Sequence, residues 1–424
     1  MHHWKGSLIL SQPLIALLVF NLSSNLSVAF QHCFAKRGFL HSHYFLTIPP
    51  GRTTTLTHIS STSEKMTSEL FWNRETSQAK EYDQTLPITK QAKILSLTAI
   101  ADDANDAVNK GTLPEGAHLV AIGGSIDDFD IESLKAQEPN VVFSSHPKSR
   151  EPLAFLLEQL PSIEWIHSRS AGIDSITSST LSSPECSHIT VTNAKGSFSS
   201  TLAEYTMMAI AYFAKDLPRL LRQKNHKDWN KYPVEEIRGK TLGIIGYGDI
   251  GRAAATLAKA YGMNIIALRR NPSNSKGDTL VDTVYGNDKE SLNKLMSESD
   301  YILVAAPLTE ETRGFVDATA FDNVKQNAVF INVGRGPIVD EEALIVALKE
   351  GGKLKGAALD VVSVEPLPKE NELWELENVL LSPHNMDQTV TFAHEATDFF
   401  IEENLPRFLR GQSLLNPVDK AAGY

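Results

Sequence analysis

The sequence predicts an α/β protein built of two doubly wound parallel-sheet domains. Three observations carry that expectation. From Lys93 onward, short β-branched and apolar runs alternate with amphipathic stretches. The alternation comes in two series, separated by a polar connection. A glycine loop opens the second series, where a buried apolar run passes into an alanine-rich helical one.

Each element follows from its local pattern. Segments 93–98 (KILSLT), 118–123 (HLVAIG), 140–145 (NVVFSS), 164–168 (EWIHS) and 188–193 (HITVTN) are short and apolar, and are predicted as strands. Segments 128–138 and 150–160 between them have helical spacing. Thr201 and Glu204 form a T-x-x-E capping box, which predicts the start of a long helix with apolar residues through Tyr212. Asp216, Pro218 and the polar run 222–233 interrupt that pattern, so the connection is placed at about 194–238. The second series has strands at 240–246, 263–268, 301–306, 328–333, 357–361 and 378–382, with a short one at 282–286. Residues 392–411 return to a helical pattern.

The chain has 424 residues, with 40 basic against 51 acidic and a net charge of -11. A nucleic-acid binder would show a basic domain or stripe, so that class is not expected. Cys33 and Cys186 are the only cysteines, which excludes a disulfide framework and zinc sites built on cysteine pairs. No metal site is expected. No apolar run reaches the roughly 18 residues of a spanning helix, so no membrane span is expected in the mature chain.

The first 63 residues contain no Asp or Glu and only four basic residues, Lys5, Lys36, Arg37 and Arg52. Residues 1–29 are signal-peptide-like: Lys5 precedes an apolar stretch from Leu8 to Phe20, and small residues follow at Ser27 and Ala29. Residues 30–87 are assigned as a transit-like leader, hydroxyl-rich and free of acids through Ser63. Together they resemble the bipartite plastid leader of algae with secondary plastids. A plastid address is therefore expected, with the secretory pathway, or cytoplasmic translation from Met66, as the alternatives.

Gly246-Tyr247-Gly248-Asp249-Ile250-Gly251 follows a strand and opens a helix that ends at Gly262. In that context the first glycine permits a tight turn, the second admits a pyrophosphate, and the third lets helix pack on strand. The helix N-terminus then offers N–H groups and a positive dipole end to the phosphates.

Three polar residues follow three strands of the same series. Arg335 lies in Gly334-Arg335-Gly336, Glu365 lies four residues past AALDV, and His384 follows NVLLSP. Singly they admit plainer readings: a solvated turn, a surface loop, a strand cap. In a doubly wound sheet, however, the carboxyl ends of the strands form one rim, and ligands bind there. Their chemistry fits hydride transfer to a ketone. A histidine near neutral pKa can protonate the oxygen, a carboxylate can favour its charged form and fix its tautomer, and an arginine can clamp a 2-oxo acid.

On these motifs the chain resembles the D-isomer-specific 2-hydroxyacid dehydrogenase family, over about 93–424. The resemblance also rests on Ser170-Ala171-Gly172-Ile173-Asp174, Asn193-Ala194-Lys195-Gly196 with Ala203-Glu204, Ala306-Pro307-Leu308-Thr309 with Thr312, Leu359-Asp360-Val361, and Ser382-Pro383-His384-Asn385. It implies a flavodoxin-like substrate domain over 88–197 with 391–424, and an inserted Rossmann dinucleotide-binding domain over 198–390. It implies a homodimer that closes its cleft on substrate. It also implies that Arg335 and the backbone N–H groups of Ala171 and Gly172 bind substrate, and that Glu365 pairs with the acid/base His384. Pro307, Thr312 and Asp360 would lie on the cofactor, Asp360 at the nicotinamide carboxamide.

Within the family, glyoxylate/hydroxypyruvate reduction is the leading expectation. A phosphoglycerate-dehydrogenase-like enzyme and a dinucleotide-sensing corepressor-like binding protein are the alternatives. Formate dehydrogenases carry a glutamine where this chain has Glu365. The strand 263–268 ends in Arg269-Arg270, with Arg269 where the family would carry an acid for the ribose hydroxyls. That predicts NADP over NAD.

Overall fold

The computed structural model describes residues 83–98, 108 and 113–420. The expected leader therefore lies outside the described residues, except for 83–87. Those five meet the C-terminal segment: Asp83 exchanges hydrogen bonds with the Gln412 side chain, and Arg410 donates to the Leu86 carbonyl at 3.1 Å. No helix among the described residues is long and apolar enough to cross a membrane.

The first series is β1 (Ala92–Leu97), β2 (Ala117–Gly123), α1 (Ile131–Gln137), β3 (Val141–Ser144), α2 (Arg150–Gln159), β4 (Trp165–Ser168) and β5 (Thr190–Asn193). It forms a five-stranded parallel sheet in the order β2-β1-β3-β4-β5, a flavodoxin-like arrangement. Next come α3 (Ser199–Ala214) and α4 (Leu217–His226).

The second series is β6 (Thr241–Ile245), α5 (Asp249–Ala260), β7 (Asn264–Leu268), β8 (Thr283–Tyr285), α6 (Lys289–Glu298), β9 (Tyr301–Val304), α7 (Ala318–Asp322), β10 (Ala328–Asn332), α8 (Glu341–Leu348), β11 (Leu354–Leu359) and β12 (Val379–Leu381). These strands make a seven-stranded sheet, β12-β11-β10-β9-β6-β7-β8. The strand order reverses between β6 and β9, the switch point at which a doubly wound sheet opens its ligand crevice.

Both sheets are buried on both faces, which is why their strands read as continuous apolar runs. Core residues such as Leu95, Val142 and Ile166 in the first sheet, and Ile244, Leu303 and Ile331 in the second, are fully or almost fully shielded. The chain returns to the first sheet through α9 (Phe392–Asp398), a π turn at Phe399–Asn404 and α10 (Leu405–Leu409). There Phe400 and Phe408 lie against Trp165 of β4, each ring pair 5.1 Å apart. The tail then runs beside β5, with Val418 N–H bonding to the Val191 carbonyl.

Two local expectations are corrected. The capping box does not form: α3 begins at Ser199, so Thr201 and Glu204 already lie inside the helix. Thr201 instead donates its hydroxyl to the Met386 carbonyl at 2.9 Å, tying α3 to the segment after His384. Part of the interrupting run is also helical. Asp216 accepts from Arg219 N–H as the N-cap of α4, and Pro218 sits in its first turn, where a missing N–H costs nothing.

Candidate active site

The loops after β4, β6, β7, β9, β10, β11 and β12 all leave the carboxyl ends of their strands. Asn332, the last residue of β10, shapes the first of the functional loops. Its side chain accepts from Gly334 N–H at 3.0 Å and donates to the Arg335 carbonyl at 3.3 Å. Gly336 is required because a Cβ there would overlap the Val362 carbonyl, so only glycine lets the β10 and β11 loops touch.

Arg335 reaches across to the loop after β4. Its Nε donates to Asp174 Oδ2 at 3.1 Å, and its Nη1 donates to the Gly334 carbonyl at 2.8 Å. Nη2 lies directly over Gly172, where a Cβ would collide with it. The Ala171 carbonyl is held from behind by Asn193 Nδ2 at 2.6 Å. One nitrogen of the guanidinium is thus brought against Gly172, in the segment to which the family resemblance assigns the substrate carboxylate.

Glu365 and His384 meet as expected. His384 Nδ1 donates to Glu365 Oε2 at 2.7 Å, and Glu365 Oε1 accepts from Val362 N–H at 3.1 Å. The Glu365–Pro366 peptide is cis, and His384 has a left-handed backbone with φ of 52°. The hydrogen bond to Glu365 raises the His384 pKa above the ordinary histidine value. Burial and the nearby Arg335 oppose that rise, and the charges of Glu365 and Asp360 reinforce it. Burial alone would raise Glu365, but its hydrogen bonds from His384 and Val362, with the charges of His384 and Arg335, bring it below the ordinary value.

Asp360 follows β11 directly and is buried. Its Oδ1 accepts from Ser382 Oγ at 2.7 Å, Asn385 N–H at 3.1 Å and Met386 N–H at 3.3 Å. The carboxylate therefore braces the chain on both sides of His384. Thr312 similarly folds its own loop. Its hydroxyl donates to the Pro307 carbonyl at 2.7 Å and accepts from Thr309 N–H at 2.7 Å.

The glycine loop fits a dinucleotide. Gly246 has φ of 99°, and a Cβ there would stand 2.5 Å from Ala306 N. Gly248 faces open space, with nothing within 4 Å of a would-be Cβ, so a phosphate can approach its backbone. Asp249 and Ile250 open α5 beside it, and Gly251 is buried against the Gly246 carbonyl. Arg269 and Arg270 follow β7. Arg269 Nη1 donates to Ser275 Oγ at 2.9 Å, and Arg270 is exposed.

Asp174, Asn193 and Asn332 have no role predicted from sequence, although all three lie in or beside the motifs that carry the family resemblance. The one signal for Asp174 is its place as an acid two residues past Gly172, and nothing in the sequence points from it to Arg335. In the loop after β3, His146 lies near Gly124, whose would-be Cβ stands 3.6 Å from its ring.

Comparison with known proteins shows which family shares this fold. A family model described as D-isomer specific 2-hydroxyacid dehydrogenase, NAD binding domain, matches residues 207–385. The chain is 33% identical over 295 residues to the D-3-phosphoglycerate dehydrogenase of Methanocaldococcus jannaschii, covering 68% of this chain and 53% of that protein. It thus spans about half the length of that relative. It is 37% identical over 268 residues to a glyoxylate/hydroxypyruvate reductase A of Arabidopsis thaliana, covering 62% of this chain and 81% of the relative. Among solved structures, the NADPH-dependent glyoxylate/hydroxypyruvate reductase of Sinorhizobium meliloti, in complex with NADP and malonate, superposes with a TM-score of 0.61. The identity is 26%, over 78% of this chain and 98% of that one.

Proposed function

The chain belongs to the D-isomer-specific 2-hydroxyacid dehydrogenase family of nicotinamide-dependent oxidoreductases, and we propose that it reduces small 2-oxo acids to D-2-hydroxy acids with NADPH. Glyoxylate and hydroxypyruvate are the leading substrates. The observation that carries this reading is the 2.7 Å bond between His384 and Glu365, on the same rim as Arg335 and the glycine loop.

Arg335 Nη2 and the N–H groups of Ala171 and Gly172 hold the substrate carboxylate, and the guanidinium polarises the keto oxygen. When bound, the dihydronicotinamide supplies the hydride. Glu365 fixes the proton on Nδ1 of His384, leaving Nε2 to deliver the other proton to the substrate oxygen. Gly246, Gly248, Asp249, Ile250 and Gly251 line the pyrophosphate cradle. Pro307, Thr312 and Asp360 would hold the nicotinamide half of the cofactor. Arg269 and Arg270, which follow β7, would hold the 2′-phosphate.

Support for the substrate comes from relatives named as glyoxylate and hydroxypyruvate reductases. Support for NADPH comes from the arginine pair and from a structural neighbour named as NADPH-dependent. The phosphoglycerate dehydrogenase relative makes phosphohydroxypyruvate the second substrate to consider. The test is steady-state consumption of NADPH and NADH with glyoxylate, hydroxypyruvate, pyruvate and phosphohydroxypyruvate. The highest kcat/KM should fall on hydroxypyruvate or glyoxylate with NADPH. A clear preference for phosphohydroxypyruvate, or for NADH, would replace the corresponding half of the reading.

The acid-free N-terminal segment is proposed to act as a plastid leader. A full-length fusion to a fluorescent protein, expressed in an alga with secondary plastids, should enter the plastid. Secretion would keep the signal segment and remove the transit reading. Cytosolic fluorescence would remove both.

A further inference from the structure

Beside the glycine loop, the second sheet presents a carboxylate where an anion must bind. Asp249 is the first residue of α5, immediately after Gly248, and its side chain is only 14% exposed. A negative charge favours a helix N-terminus when nothing else binds there. Beside a pyrophosphate, the same charge is repulsive. The structure offers one countercharge from the other sheet: Lys195 Nζ stands 3.3 Å from Asp249 Oδ2.

Lys195 is anchored to the first sheet. Its N–H donates to Asn193 Oδ1 at 3.2 Å, and its carbonyl accepts from Asn416 Nδ2 at 2.8 Å. The side chain then crosses to α5 and stays half exposed, at 51%. The contact is an ion pair without hydrogen-bond alignment, since Asp249 Oδ2 is shielded from solvent and lacks a hydrogen-bond partner. So loose a pair with one solvated partner adds little to folding. Its position bears on the bound anion, because Asp249 directly follows Gly248, whose backbone is open to a phosphate.

We propose that Lys195 is a cofactor-positioning residue supplied by the substrate-side sheet. It cancels the Asp249 charge at the mouth of the glycine loop, so phosphate binding requires the two sheets to approach. This rests on the glycine loop being the dinucleotide site. It implies that cofactor affinity depends on a residue outside the domain that holds the cofactor.

The experiment is a double-mutant cycle on the full chain. NADPH is titrated and followed by energy transfer from protein tryptophan. Lys195→Met should raise the NADPH Kd by about 10-fold, a coupling typical of contacting charged residues, and Asp249→Asn should change it by less than about threefold. In the Asp249→Asn background, adding Lys195→Met should have little further effect. Lys195→Arg, which keeps the charge, should bind nearly as the wild type does. Wild-type affinity in Lys195→Met would overturn the proposal. So would an equal loss in both backgrounds, which would make Lys195 a direct phosphate ligand. If the wild type bound neither NADPH nor NADH, the dinucleotide reading would fall, and the proposal with it.

Discussion

The bond from His384 to Glu365 sets the pH range over which the imidazole can hold its proton. Because Glu365 raises the His384 pKa, removing its charge moves that pKa down toward the ordinary value. Reduction needs His384 protonated and is lost as pH rises through its pKa. Oxidation needs it neutral and is lost as pH falls. Glu365→Gln should therefore shift the alkaline limb of the reduction profile to lower pH, and the acid limb of the oxidation profile in the same direction. Unmoved limbs would separate the pair functionally. At this scale, Arg335, Glu365 and His384 were legible because each follows a strand of one series, and parallel strands bring their carboxyl ends to one rim. Asp174 was not, because its bond to Arg335 joins residues 161 positions apart on two sheets. The bracing role of Asp360 was open for a similar reason: its partners Ser382, Asn385 and Met386 belong to the next crossover.

At the scale of elements, the strands were easiest to place. Full burial removes alternation, leaving the short β-branched runs that the sequence displays. Boundaries shifted where packing decided them. β11 begins at Leu354 rather than 357: Leu354 pairs with Ala328 of β10, and Gly356 makes room for the Phe213 ring of α3, a partner that local pattern does not reveal. α4 was hidden because Asp and Pro signal both the end of one helix and the start of the next, and only the Asp216–Arg219 bond distinguishes them. The end of β7 carries its own prediction. A charge-assisted contact contributes about 1.5–3 kcal/mol, so a 2′-phosphate on Arg269 should favour NADPH by about 10-fold to 150-fold in kcat/KM. Arg269→Asp should erase or reverse that ratio at constant ionic strength. An unchanged ratio would place the phosphate elsewhere and return Arg269 to a purely structural bond with Ser275.

For the whole molecule, the proposed site draws on two sheets, joined by the bond of Arg335 to Asp174. The first contributes the Ala171–Gly172 backbone and Asp174, and the second contributes Arg335, Glu365 and His384. That division was expected from the two series of strands and from the family resemblance. The contacts crossing between them had to come from coordinates, since sequence spacing says nothing about the angle between two domains. The central claim is that His384 delivers the proton that completes reduction of a 2-oxo acid. The most direct test measures hydroxypyruvate reduction by the wild type and by His384→Ala, with NADPH affinity determined on the same samples. Turnover should fall by about 100-fold or more, as for loss of a positioned general acid, while NADPH still binds. Near-normal turnover in the variant, or a wild type that binds NADPH yet reduces no 2-oxo acid, would contradict the account.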